Sequence, residues 1–355
     1  MSTPGRPKGE FRKAQPEGAP VGTPGRPKGE FRSAQHESTP VSATSMDRIQ
    51  RFRSLMLREW MQHRTGWLVL MVLPTLLAAG LSLFNGRGID VRIGDHDTQL
   101  GQLSSLPAVQ QTVGWTVGVT GLALLLVSLT VLVQLSGLAR RDHQDRSIEF
   151  WRSLPVSHLQ GVGATVLMHL LVLPLMAVTS ALLGSQLVAA LAIVLHNGLL
   201  AWLQQPWLVL MASLLLAVAR VWLGLLMAVL WLSPLLMLTM AASAWLKRWA
   251  LPVVLAGSVL GVTWLDPRLP VALVGPALHR LGAEALYALL APDLFEGRQA
   301  LHAGDLGASL HGLPMALLQD GLRVLQSAAT PAFLSALVAG ALGFGLLLLR
   351  RQRAD

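Results

Sequence analysis

Residues 140–160 read RRDHQDRSIEFWRSLPVSHLQ, a short island of charge between two of the longest uncharged runs in the chain. Nothing in 100–139 carries a formal charge, and nothing in 156–219 does while histidine is neutral. A helix of about 20 apolar residues crosses a bilayer core of about 30 Å. Both runs are therefore expected to span a membrane, with the island as the loop that joins them.

Composition agrees. Of 355 residues, 52% are hydrophobic and 13% charged, against roughly 25% charged in a soluble globular domain, and the mean hydropathy is +0.52. A soluble fold of this size could not hide that much apolar surface. The chain has no cysteine, so neither disulfides nor thiolate metal sites are available to it. The net charge of +9 is concentrated in the N-terminal arm, the island, the pair Lys247 and Arg248, and the tail Arg350, Arg351 and Arg353. Those positions border apolar runs, as cytoplasmic loops do under the positive-inside rule. They lack the interleaved aromatics or folded reader module of a nucleic-acid binder, so no nucleic-acid partner is expected.

The first 45 residues hold a duplication: 3–22 (TPGRPKGEFRKAQPEGAPVG) recurs almost unchanged as 23–42 (TPGRPKGEFRSAQHESTPVS). A basic arm so rich in Pro and Gly buries too little to offset ordering entropy, and disorder is expected over 1–45. It reads as a tandem duplication, or as upstream sequence before a start at Met46. From Met46 the pattern MDRIQRFRSLMLREWMQHRTGW alternates apolar and basic positions at helical spacing. An amphipathic elbow helix is expected over 46–65, lying in the headgroup plane with Arg58, Glu59, Trp60 and Arg64 at the interface.

The remainder, 66–350, is expected to be all-α with six spans, at 66–84, 113–138, 162–195, 222–246, 249–265 and 332–349. The run 156–219 is long for one upright helix. It implies either a tilted helix followed by an interfacial segment near 204–220 or a hairpin near 184–186, and two extra spans would preserve parity. With both termini cytoplasmic, every basic cluster falls inside and the segment 266–331 falls outside. Apolar spacing there predicts short surface helices over 279–290 and 312–325, a lid or collar.

Signs of chemistry are sparse. No GxxxxGK(S/T) phosphate loop and no HExxH occurs. His169 and His196 lie in apolar runs with no acid near them in sequence, so they are expected to pack rather than to ligate, and no metal, cofactor or catalytic residue is expected in this chain. The assigned spans contain no charge, and Arg220, just before Trp222, is expected to snorkel to an interface. Energy for any transport must then enter from elsewhere.

The island offers the route. Ser147 can cap a short helix, about 146–155, through Ile148, Glu149, Phe150, Trp151, Arg152 and Leu154, which Pro155 stops. Ile148, Trp151 and Leu154 fall near one face, an aromatic and aliphatic knob rimmed by Glu149 and Arg152, the composition of a protein-binding anchor. A partnerless interfacial helix would have the same composition.

At these residues the chain resembles the membrane subunits of type-2 ATP-binding cassette transporters. The match lies in DRSIEFWRSLPVSHLQ at 145–160, in LMLREWMQHRTGWLVLMVLP at 55–74, and more loosely in WLSPLLMLTMAASAWLKRWALP at 231–252. The resemblance implies a coupling helix at the first segment and an elbow at the second. It implies a pair of cytoplasmic ATPase subunits, carrying ATP and magnesium, that receive the knob, and a second permease subunit, a homodimer mate or a paralogue. It further implies a non-enzymatic exporter or flippase of an amphipathic substrate in the inner membrane. An intramembrane enzyme and a structural or immunity membrane protein are the alternatives from other classes.

Overall fold

The computed structural model describes residues 45–84, 90–93, 96–99, 107–138, 158–246, 249–290 and 306–354. They belong to one unit, Ser45–Asp355. Helix α1 (Ser45–Phe84) is followed by a short antiparallel ribbon, β1 (Asp90–Ile93) against β2 (His96–Gln99), with Asp90 opposite Gln99. Then come α2 (Ala108–Leu138), α3 (His158–Leu167), a π turn (Met168–Val172), α4 (Leu173–Asn197) and the short α5 (Leu199–Leu203). The chain closes with α6 (Trp207–Leu246), α7 (Ala250–Leu260), α8 (Val274–Leu290), α9 (Leu306–Ser327) and α10 (Pro331–Ala354). The all-α expectation holds but for the ribbon.

Among the described residues six helical stretches are long and apolar enough to cross a membrane: Gln50–Phe84, Ala108–Leu135, Leu159–Asn197, Trp207–Ser243, Ala250–Arg268 and Pro331–Leu349. Each contains or overlaps one of the six expected spans. Their outward faces carry large apolar side chains, such as Leu68, Val72, Leu76 and Leu83 on α1 and Leu208 and Leu215 on α6. Contiguous apolar surface of this kind is a liability in water and the ordinary condition of a helix in lipid. This is a multi-pass helical membrane protein.

Three expectations need correcting. No hairpin forms near 184–186, because α4 runs through those residues. The segment 207–220 is not a separate interfacial piece either: it is the first part of α6, which continues through Pro234 to Leu246. The stretch is apolar throughout and has no glycine or proline between Trp207 and Trp222, so nothing breaks it. Helix α1 likewise shows no interruption at 65–66, where elbow was expected to give way to span.

Packing gives the bundle two ends. At one, Leu135 of α2, Val162 of α3, Leu236 and Met240 of α6 and Leu347 of α10 share an apolar cluster. At the other, Ala78 of α1, Trp115 and Val119 of α2, and Ala192 and Ile193 of α4 meet. Gln111 Nε2 donates to Asn197 Oδ1 at 2.9 Å and Thr112 Oγ1 to Gln205 Oε1 at 2.8 Å there, so the turn between α4 and α6 is tied to the start of α2. That turn pivots on Gly198, whose φ of 88° suits a residue without Cβ. Helices α8 and α9 do form where helices were expected in the 266–331 segment. They pack along α6, with Ala285, Ala288 and Val324 against Met227, Ala228 and Trp231.

Candidate functional site

The expected docking residues Ile148, Glu149, Phe150, Trp151, Arg152, Leu154 and Pro155 lie outside the described residues. The helices that flank them are described, and Leu135 near the end of α2 shares its cluster with Val162 near the start of α3. The island thus joins two helices that are neighbours at one end of the bundle.

The elbow residues are all on α1. Arg64 is exposed, Arg58 is half-buried, and Trp60 packs half-buried against the central cluster of Trp67, Leu70 and Leu173. Glu59 departs from its expected place at the interface: it is 8% exposed and faces α3 and the π turn. Its Oε2 lies 3.2 Å from His169 Nε2, and Thr165 Oγ1 lies 3.1 Å from its Oε1. His63, one turn further along α1, sets its ring edge-on to that of His169 with centroids 4.9 Å apart. The acid absent from the sequence around His169 is thus supplied in space by a residue 110 positions away.

The π turn that presents His169 has a local cause. Pro174 has no N–H to give the carbonyl four residues before it, and its ring crowds that carbonyl. The backbone answers with one wider turn, in which Leu173 N–H bonds Met168 O, five residues back. Single π turns of this kind recur at functional positions in helices.

A second buried cluster lies on α6. Arg220 is 5% exposed and does not snorkel: Nε donates to Asp320 Oδ2 of α9, and Nη1 donates to the Ala288 carbonyl of α8 at 2.7 Å. Gly224, one turn along, makes room for this, since a Cβ there would stand 2.2 Å from the Ala288 oxygen and 2.6 Å from Arg220 Nη1. One guanidinium thus joins three helices. Asp266, also buried, accepts from the backbone N–H groups of Leu273, Val274 and Gly275 at 3.0, 2.9 and 2.6 Å and so fixes the start of α8.

Neither cluster was legible along the chain, because its acid and base stand 110 residues apart in the first and 100 in the second. The readable traces were a buried-type acid one helical turn from a histidine at Glu59 and His63, and an arginine inside an apolar run at Arg220. Compared with known proteins, the chain matches no family model, no curated relative and no solved structure.

Proposed function

We propose that this chain is the membrane subunit of an ATP-binding cassette exporter of the type-2 class. The single observation that carries the reading is the segment DRSIEFWRSLPVSHLQ at 145–160, which joins the second and third of six apolar helices whose ends at this segment pack together. A hinge of that kind lets a push on the segment move two spans at once. A paired cytoplasmic ATPase, holding ATP and magnesium, receives Ile148, Glu149, Phe150, Trp151, Arg152 and Leu154 in a surface cleft, with Pro155 ending the helix. Closure of that pair displaces α2 and α3, and two permease subunits, identical or paralogous, shape the path between them. Catalysis belongs to the ATPase. The cargo is amphipathic, extruded or flipped across the inner membrane, and both termini are cytoplasmic.

Affinity purification of the tagged chain with its co-expressed ATPase tests this. Trp151→Ala and Glu149→Ala are expected to reduce the co-purified ATPase by about tenfold or more, the loss of one or two interface anchors worth about 1.4 kcal/mol or more, with membrane insertion unchanged. Undiminished recovery of the ATPase with both variants counts against the docking role.

A further inference from the structure

We infer that Glu59, His63 and His169 form a binding site for a divalent ion of the zinc type, fastening the first apolar helix to the third. One ligand atom from each lies within 4.8 Å of the others, and this is the one such group among the described residues. Glu59 and His63 stand four apart on α1, so a single helix face offers both. His169 comes from the π turn opposite.

The geometry is close to that of a three-ligand zinc site whose fourth position is open to water. Tetrahedral zinc with bonds of about 2.0–2.1 Å sets its ligand atoms about 3.3–3.4 Å apart. Glu59 Oε2 and His169 Nε2 are already 3.2 Å apart. His63 has to approach by on the order of 1 Å to complete the triangle, and it is half-buried rather than locked in the core. Thr165, beside the other oxygen of Glu59, is the kind of outer contact that orients a ligating carboxylate.

A second observation is independent of the spacing. His169 is 1% exposed, and its Nδ1 has no hydrogen-bond partner among the described residues. With the proton on Nε2 the ring bonds Glu59 and Nδ1 alone lacks a partner; with the proton on Nδ1 the Nε2 lone pair faces the carboxylate, a buried arrangement that costs free energy and that a cation between the two would relieve. Glu59, an acid at the edge of an apolar core, faces a ring that is fully charged only when protonated. A dication shared by Nε2 and the carboxylate replaces one hydrogen bond with two coordinate bonds and balances the buried charge, with the ring proton then on Nδ1. Two imidazoles and one carboxylate suit zinc, cobalt or nickel; calcium and magnesium take oxygen alone.

The site goes beyond the transport reading and does not depend on it. It would pin α1 to the π turn that follows α3.

The test uses the full-length protein in detergent, stripped with a chelator and desalted. Zn²⁺ is titrated in competition with a chromophoric chelator, and Co²⁺ is followed by its visible ligand-field absorption. One high-affinity Zn²⁺ per chain and a four-coordinate Co²⁺ spectrum are expected. Removing an outer-shell partner of a metal typically costs about 10–100-fold in affinity, so Glu59→Gln and His169→Gln should each cost at least about that. His196→Gln, at a histidine of α4 whose Nδ1 bonds the Ala192 carbonyl, should change nothing. With 10 histidines in the chain, binding alone is not enough: saturable binding that survives Glu59→Gln and His169→Gln overturns the site, and so does the absence of 1:1 binding. Should either variant fail to fold, the half-buried His63→Gln gives the same reading, with retained affinity overturning the site.

Discussion

Arg220 shows how one side chain can organise three helices. Its Nε serves Asp320, its Nη1 serves the Ala288 carbonyl, and Gly224 leaves the space in which both contacts are made. Removing one member of a buried ion pair strands the other, which typically costs about 3–5 kcal/mol, whereas replacing both with apolar residues of like volume is often neutral or better. Arg220→Met is thus expected to lower the thermal unfolding midpoint in detergent sharply, and Arg220→Met with Asp320→Leu to recover most of the loss. If the double variant is as unstable as the sum of two singles, the pair is not the unit of stability proposed. From sequence the arginine was readable as unusual and its partner was not, because Asp320 looks like any acid of a polar external segment. A partner 100 residues away is set by tertiary packing, for which local pattern has no signal.

At the scale of the helix, hydropathy was an adequate guide to where the spans are and a poor one to how they meet. Uniformly apolar stretches such as α6 carry no stripe to mark a buried face, since lipid accepts leucine as readily as a neighbouring helix does. The contact between α10 and α6 is instead marked by small residues. A Cβ on Gly340 would lie 2.3 Å from Ser233 Oγ, and one on Gly343 would lie 2.8 Å from Met237 Cβ. Gly345, on the same helix, has nothing within 4 Å. Gly343→Leu is therefore expected to push α10 off α6 and destabilise the protein by about 1–3 kcal/mol, the usual cost of overpacking, while Gly345→Leu leaves it unchanged. Tryptophan fluorescence during thermal unfolding reads both, and equal behaviour of the two variants would refute the seam. The same reasoning explains why the run over 204–220 carries no mark of its place in the bundle: after Pro206 a new helix begins that has no reason to end before Leu246.

At the scale of the molecule, packing and charge give two independent sorts of the same chain. Packing alone gathers the end of α2, the start of α3, the later part of α6 and the end of α10 at one end, with the Glu59 end of α1 joined to α3. The sequence segments that leave from that end hold Arg140, Arg141, Arg146, Arg152, Lys247, Arg248, Arg350, Arg351 and Arg353, and Arg58 and Arg64 lie on the same portion of α1. The opposite end gives rise to 85–106, and over that segment and 269–330 of the sequence Asp90, Asp95, Asp97, Glu284, Asp293, Glu296, Asp305 and Asp320 outnumber the basic residues. Short loops rich in Arg and Lys are retained on the cytoplasmic side, so the packing-defined end and the charge-defined side should be one and the same. Because the chain has no cysteine, single cysteines report on this without background. Thr98→Cys is expected to react with an impermeant maleimide in spheroplasts, and Ser153→Cys and Gln352→Cys only after permeabilisation. Labelling of Ser153→Cys from outside would reverse the orientation, remove the island from reach of any cytoplasmic motor and end the transport proposal, while leaving the helix bundle and its buried clusters as they stand.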